Sequence, residues 1–333
     1  MFPRGGTSHA QMSVWDGGRP DGGRGSGRTL VPMGRPAYST VSLLTDYGTA
    51  DEFVGVLKSV IRDLAPHVTT IDITHGIAPF DVRGGSMALA RAASYLPEGI
   101  VVAVVDPGVG TSRRAVAIEV ADGAGVFIGP DNGLLAPAVA VVGGATRAVS
   151  LDAVEFQLDA PGATFAGRDI FAPAAAHLSN GVDLADLGAA IDPAVLVPGL
   201  VPLPRHEGHR IDADVLWVDR FGNCQLNLGP DELAALLSPE EVMLPGAVLT
   251  LIVDDERRTV HTATAFADLG PGSLGLVLDS YGMYALALDQ SSAAAELSIG
   301  AGDAVTLVTA DDAGPGVNAP TGATTPVQLR PPG

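Results

Sequence analysis

Asp46 and Asp106 are the first residues whose surroundings point to chemistry. Each follows a run that reads as a buried strand (39–45 and 100–105), and each opens a glycine-containing turn. The turns are Thr45-Asp46-Tyr47-Gly48 and Val105-Asp106-Pro107-Gly108-Val109-Gly110-Thr111. In open α/β sheets, ligands gather beyond the carboxyl ends of the strands, where a carboxylate can accept hydrogen bonds or a proton. One such aspartate could equally cap its own loop. Two at adjacent strand ends, beside Gly-rich turns, point to a site. Arg113 and Arg114 follow closely, and one of the two reads as an ordinary surface arginine.

Other segments carry weaker signals. Gly129-Pro130-Asp131-Asn132-Gly133 reads as a structural turn. Phe165-Ala166-Gly167-Arg168-Asp169 opens a helix, with an Arg–Asp pair that architecture alone could explain. Asp219-Arg220-Phe221-Gly222-Asn223 interrupts a strand-rich half and, taken alone, is a hairpin loop. His206 and His209 fall in a linker, and His75 and His177 read as buried hydrogen-bonding residues, so no metal site is expected. A single cysteine, Cys224, excludes an intrachain disulfide and a multi-thiolate metal centre. Gly108-Val109-Gly110 lacks the third glycine of a dinucleotide fingerprint, and no Walker lysine is present.

The elements that would position these residues follow from pattern. With 333 residues and 47% apolar composition, the chain is long enough for two domains and too apolar to be disordered. Strands are expected at 39–45, 68–73 and 100–105, helices at 52–64, 82–95 and 171–178, and a hairpin at 115–120 and 126–128. This alternation means an α/β layer fold. A proline-rich linker is expected at 191–210. Seven short strand-type runs beyond it, from 213 to 308, predict a small β-barrel or sandwich. Residues 1–36 and 313–333 read as disordered tails around an α/β domain (37–200) and a β domain (201–312). The net charge of −19 argues against nucleic acid as a partner. No apolar stretch reaches the roughly 20 residues of a membrane span.

Taken together, the segments resemble the S-adenosylmethionine hydrolases (hydroxide adenosyltransferases), relatives of the S-adenosylmethionine-dependent chlorinase and fluorinase. The matching stretches are Thr45-Asp46-Tyr47-Gly48 with Asp51, Asp72-Ile73-Thr74-His75, the Asp106 loop, Gly129 to Gly133, Gly167-Arg168-Asp169 and Asp219 to Asn223. They occur in family order over roughly residues 40 to 310. The resemblance implies an α/β N-terminal domain with a mostly parallel central sheet, plus a smaller C-terminal all-β barrel domain. It further implies a cytoplasmic homotrimer with sites between subunits, no membrane association, and S-adenosyl-L-methionine as substrate with no cofactor.

The resemblance also implies roles. Asp106 and Arg113 match the pair around the attacking water, Asp46 the acceptor of the ribose diol, and Asp51 the partner of the methionine ammonium. Phe80 lines the ribose and methionine, and Phe165 and Gly167 belong to the substrate-binding set. Asp219 and Asn223 grip the amino acid and adenine, with Phe221 and Phe266 as apolar walls. Ser280 lies near the methionine carboxylate. Tyr281 stands where the fluorinase has arginine. A carboxylate at Asp106, where halogenases tend to carry tyrosine, favours water over halide. Two departures stand out. Ala166 replaces the hydrolases' histidine, and Gly167 the fluorinase serine that holds fluoride. The expectation is an adenosine-forming hydrolase whose water has one fewer anchor and whose turnover Ala166→His would raise. The alternatives are a halide-using adenosyl transferase and a binding protein that has lost turnover.

Overall fold

The computed structural model describes residues 38–237 and 245–309. The tails expected at 1–36 and 313–333 lie outside the described residues. The first sheet is built from β1 (Thr40–Thr45), β2 (Thr69–Thr74), β3 (Gly99–Val104), β4 (Ala115–Val120), β5 (Gly125–Pro130), β6 (Ala145–Ser150) and β7 (Ala190–Ile191). Their order is β2-β1-β3-β5-β4-β6-β7. The first four run parallel, and β4, β6 and β7 add antiparallel pairings.

Helices α1 (Phe53–Leu64), α2 (Val82–Ala93), α3 (Ala136–Val141) and α4 (Ala172–Ser179) cover both faces. Successive strand side chains point to opposite faces, and the core divides accordingly. Val41, Leu43, Ile100, Val102 and Val104 pack with Leu57 and Ile61 of α1 and with α4. Leu44, Val101, Ala103 and Val105 pack with Leu89 of α2 and Ala138 of α3. Being buried on both faces is why β3 reads as a continuous apolar run, whereas β1 carries the buried polar residues Ser42 and Thr45 among its apolar ones.

The pattern assigns nothing to 136–150, where the structure places α3 and β6. Both are six residues long. Pro137 opens the helix, and Thr146 and Arg147 break the apolar run of the strand, so neither shows a full period. The expected linker also proves shorter, because β7 and the strand β8 (Arg205–Glu207) take up its ends. It is fastened to the α/β domain. Asp131 accepts the Val197 N–H at 2.8 Å, and Arg114 donates to Asp131 at 2.9 Å and to the Val195 carbonyl at 2.9 Å. Arg114 is therefore no idle surface arginine, and the Gly129–Gly133 turn is structural as expected. Arg114→Ala leaves a buried carboxylate without its cation, so a loss of about 1–3 kcal/mol in urea unfolding is expected, with catalysis little changed.

The second sheet comprises β8, β9 (Arg210–Val218), β10 (Cys224–Leu226), β11 (Val248–Val253), β12 (Glu256–Ala263), β13 (Leu274–Leu278), β14 (Tyr284–Leu288) and β15 (Ala304–Thr309). β9 pairs with both β15 and β10, closing the ring β9-β10-β14-β13-β12-β11-β15. Closure decides for a barrel over a sandwich and leaves only the short β8 as an edge. Val215, Leu226, Leu249, Leu251, Leu276, Leu286 and Leu307 fill its interior. No helix among the described residues is long and apolar enough to cross a membrane.

Candidate active site

From β1 the chain runs through α1 to β2 on one side of β1, then through α2, on the opposite face, to β3 on the other side. The strand order therefore reverses between β1 and β3, which opens a crevice at their carboxyl ends. Thr45 pairs with Val104 in register, so Asp46 and Asp106 emerge side by side at that crevice. The Asp46 N–H donates to the Val104 carbonyl at 3.3 Å, and the Asn132 amide donates to the Val105 carbonyl at 2.9 Å.

Asp106 and Arg113 form a bidentate pair. Nε donates to Oδ1 at 2.9 Å, and Nη2 donates to Oδ2. Both side chains are buried, with 5% of Asp106 and 12% of Arg113 exposed. The turn between them is held by Thr111, whose hydroxyl donates to the Gly108 carbonyl at 2.7 Å. Burial pushes the Asp106 carboxyl above the usual aspartate value, with Arg113 opposing that push and Asp46 adding to it. Its proton affinity is thus raised while the guanidinium fixes its orientation. For stability the sign is that of a raised acid: ionising Asp106 costs folding free energy as pH climbs from its unfolded value through its folded one. For activity the carboxylate must be ionised to accept a proton. The acid limb of kcat is therefore expected above the unperturbed value of about 3.9. A pH–rate profile with its limb at or below that value would contradict this.

Asp46 accepts the Phe80 N–H at 2.9 Å. Phe80 has φ +68°, unusual for a bulky residue, and its ring is 71% exposed. The strand-end carboxylate thus holds a strained loop with an aromatic ring presented to solvent. Asp51 is exposed, ahead of α1. Lys58 and His75 both bond Asp72, and His75 also meets the Thr45 hydroxyl at 2.9 Å, which makes it the structural histidine expected.

Residues Gly167–Phe171 form one π-helical turn leading into α4, a form often found at functional sites. Arg168 and Asp169 pair with each other at 2.6 Å. Ala166 is buried against the core. Phe165 closes an aromatic group with Tyr47 and Phe53, at centroid separations of 5.7 and 5.0 Å.

In the barrel, Asp219 folds its own loop. Its carboxylate accepts the Phe221 N–H at 2.8 Å, the Asn223 N–H at 2.9 Å and the Asn223 side-chain amide at 2.8 Å. Asp279 does the same in the turn between β13 and β14. It accepts the Tyr281 N–H at 2.8 Å and the Met283 N–H at 3.1 Å, with Gln225 on its other oxygen at 2.5 Å. Each loop places an exposed aromatic residue at i+2 and a glycine with positive φ at i+3. The sequence reading missed Asp279, although the shared Asp-x-aromatic-Gly spacing is visible at 219 and 279. Phe221, Asn223 and Phe266 line a cavity of about 580 Å³ with Leu288 to Ser292. Ser280 is exposed beside Tyr281.

The two sets of residues stay apart within one chain. Tyr281 leans on Arg91, which stacks on Trp217 at 4.1 Å and lies 5.9 Å from the Tyr281 ring. Arg91 sits near the C-terminus of α2, whereas Phe80 and the strand-end carboxylates lie at its N-terminus. From Val82 to Arg91 the helix rises nine positions, roughly 14 Å. Asp46, Phe80, Asp106, Arg113, Phe165 and Gly167 therefore converge as one half, and Asp219, Phe221, Asn223, Phe266, Ser280 and Tyr281 belong to the barrel.

Fold and geometry define a two-domain protein with a carboxylate–guanidinium site at an α/β switch point and an aromatic-rimmed barrel beside it. The sequence matches the SAM hydroxide adenosyltransferase N-terminal domain over residues 41–188 and the corresponding C-terminal domain over 213–306. The chain belongs to the SAM hydroxide adenosyltransferase family. It is 44% identical over 263 residues to an (R)-S-adenosyl-L-methionine hydrolase of Salinispora tropica, covering 79% of this chain and 95% of that protein. A Thermus thermophilus protein of the same name is 37% identical over 282 residues, covering 82% of this chain and 100% of that protein. The crystal structure of an uncharacterized conserved protein from Thermotoga maritima superposes with a TM-score of 0.73 at 32% identity, covering 80% of this chain and 99% of that one.

Proposed function

We propose that this chain hydrolyses S-adenosyl-L-methionine to adenosine and L-methionine, with water attacking C5′. The buried Asp106–Arg113 pair at the switch point carries this reading. The sulfonium is its own activated leaving group and departs as a neutral thioether, so neither a metal nor an acid is needed at sulfur. The water oxygen bonds to C5′, the C5′–S bond breaks with its electron pair going to sulfur, and the water proton passes to Asp106. Arg113 holds Asp106 in line and compensates its charge. The same carboxylate repels halide. Asp46 receives the ribose diol, Asp51 the methionine ammonium, and Phe80, Phe165 and Gly167 enclose the reacting end. Asn223, presented by the Asp219 loop, meets the adenine between Phe221 and Phe266. Ser280 and Tyr281 face the methionine end. A chromatographic assay with S-adenosyl-L-methionine, with and without chloride, tests this. Adenosine is expected in both cases, and 5′-chloro-adenosine or no product would contradict the reading.

The same reading makes the protein a cytoplasmic homotrimer, with the barrel of one copy completing the strand-end site of the next. It is supported by the exposed Phe80 and Phe221 rings, 71% and 78% accessible, and by Arg91 holding Tyr281 away from its own chain's carboxylates. Light scattering is expected to give three copies per particle, and an active monomer at working concentration would refute it.

A further inference from the structure

The hydrogen-bonding group missing at Ala166 has a candidate replacement on another element. Tyr47 directly follows Asp46, so the β1–β3 register puts it at the same crevice as Asp106. Its ring is fixed between Phe53 and Phe165, at 5.6 and 5.7 Å, and its N–H donates to the Thr45 hydroxyl at 3.1 Å. These contacts aim the hydroxyl at the π-helical turn. There it lies so close that a Cβ on Gly167 would fall 2.5 Å from Tyr47 Oη. Gly167 is what makes room for it. The Gly167 backbone and the charges of Asp46, Asp106 and Arg113 all act on it.

We propose that the Tyr47 hydroxyl is a catalytic hydrogen-bond donor that holds the attacking water beside the Asp106–Arg113 pair, standing in for a side chain at 166. This rests on the hydrolase reading above. The phenol oxygen lies against the Gly167 backbone, and its O–H turns into the crevice to donate. Burial, together with the carboxylates of Asp46 and Asp106, pushes the phenol well above its ordinary pKa, while Gly167 and Arg113 oppose this. It therefore stays protonated through the working pH range and donates without transferring its proton, which in the reaction comes from water and goes to Asp106. The same hydroxyl occupies the space that a serine at 167 would need, so the chain cannot present both.

Tyr47→Phe keeps the ring and removes only the donor. Its kcat is expected to fall roughly tenfold to a hundredfold, the range for one hydrogen bond to a developing charge, with KM within about twofold. Ala166→His alone is expected to change kcat less than about threefold, since the water is already held, but to recover much of the loss in the Tyr47→Phe background. Gly167→Ser is expected to lower the melting temperature in the wild-type chain and less so with Tyr47→Phe, which reads the packing without any turnover. Equal kcat in wild type and Tyr47→Phe would overturn the proposal and leave the hydrolase reading intact. A fall expressed only in KM, or a gain from Ala166→His that ignores residue 47, would also overturn it. A wild-type chain that forms no adenosine would overturn both.

Discussion

Asp106→Asn is expected to lower kcat by about 10²- to 10⁴-fold, the range for loss of a positioned general base. The amide keeps the shape of the carboxylate and one acceptor toward Arg113. It loses the charge that compensates the guanidinium and the basicity that takes the water proton. In the proposed mechanism Asp106 meets the nucleophile and not the body of the substrate, so KM is expected to move less than about threefold. Single-turnover kinetics at saturating substrate separate the two effects. A variant with full kcat would remove Asp106 from the chemistry, and one with unchanged kcat but much weaker binding would recast it as a substrate contact.

Arg113→Met is expected to have the largest effect on stability. It strands a carboxylate that is only 5% exposed, and removing one partner of a buried pair costs about 3–5 kcal/mol. Part of that cost is escaped by protonation, so the variant's stability should improve as the pH is lowered toward the newly raised Asp106 pKa. Turnover should vanish with the ionised base. Replacing both partners, as Asp106→Asn with Arg113→Met, removes the stranded charge and should recover most of the stability and none of the activity. Urea midpoints for the two single variants and the double variant give the coupling. Additive losses would mean that the pair contributes little as a pair.

Asp46, Asp106 and Arg113 were legible because they depend on local pattern. β3 reads as a continuous apolar run and β1 as a strand centred on Leu43 and Leu44, and an aspartate ending such a strand is conspicuous. The barrel's seven strands were legible for a similar reason, though only the β9–β10 pairing distinguishes closure from a sandwich, and no sequence pattern encodes it. Tyr47 was on the page but mute. Its role depends on the space above Gly167, which belongs to a turn far along the chain. Arg91 reads as one more arginine on an amphipathic helix until Trp217 and Tyr281 arrive from the second domain. Asp219 reads alone as a hairpin residue and by the resemblance as a substrate contact, and the structure adds its three hydrogen bonds within its own loop. The repeat of that loop at Asp279 was readable in the letters alone, but four residues with three specified positions stand out only once the geometry shows why those three matter.

The central claim is that water attacks C5′ of S-adenosyl-L-methionine at the Asp106–Arg113 pair. Turnover in H₂¹⁸O, with mass spectrometry of both products, tests it most directly. One ¹⁸O in the 5′-hydroxyl of adenosine and none in methionine is the expected result, with or without saturating chloride. Adenosine without label, label in methionine, or 5′-chloro-adenosine as the main product in chloride would contradict it.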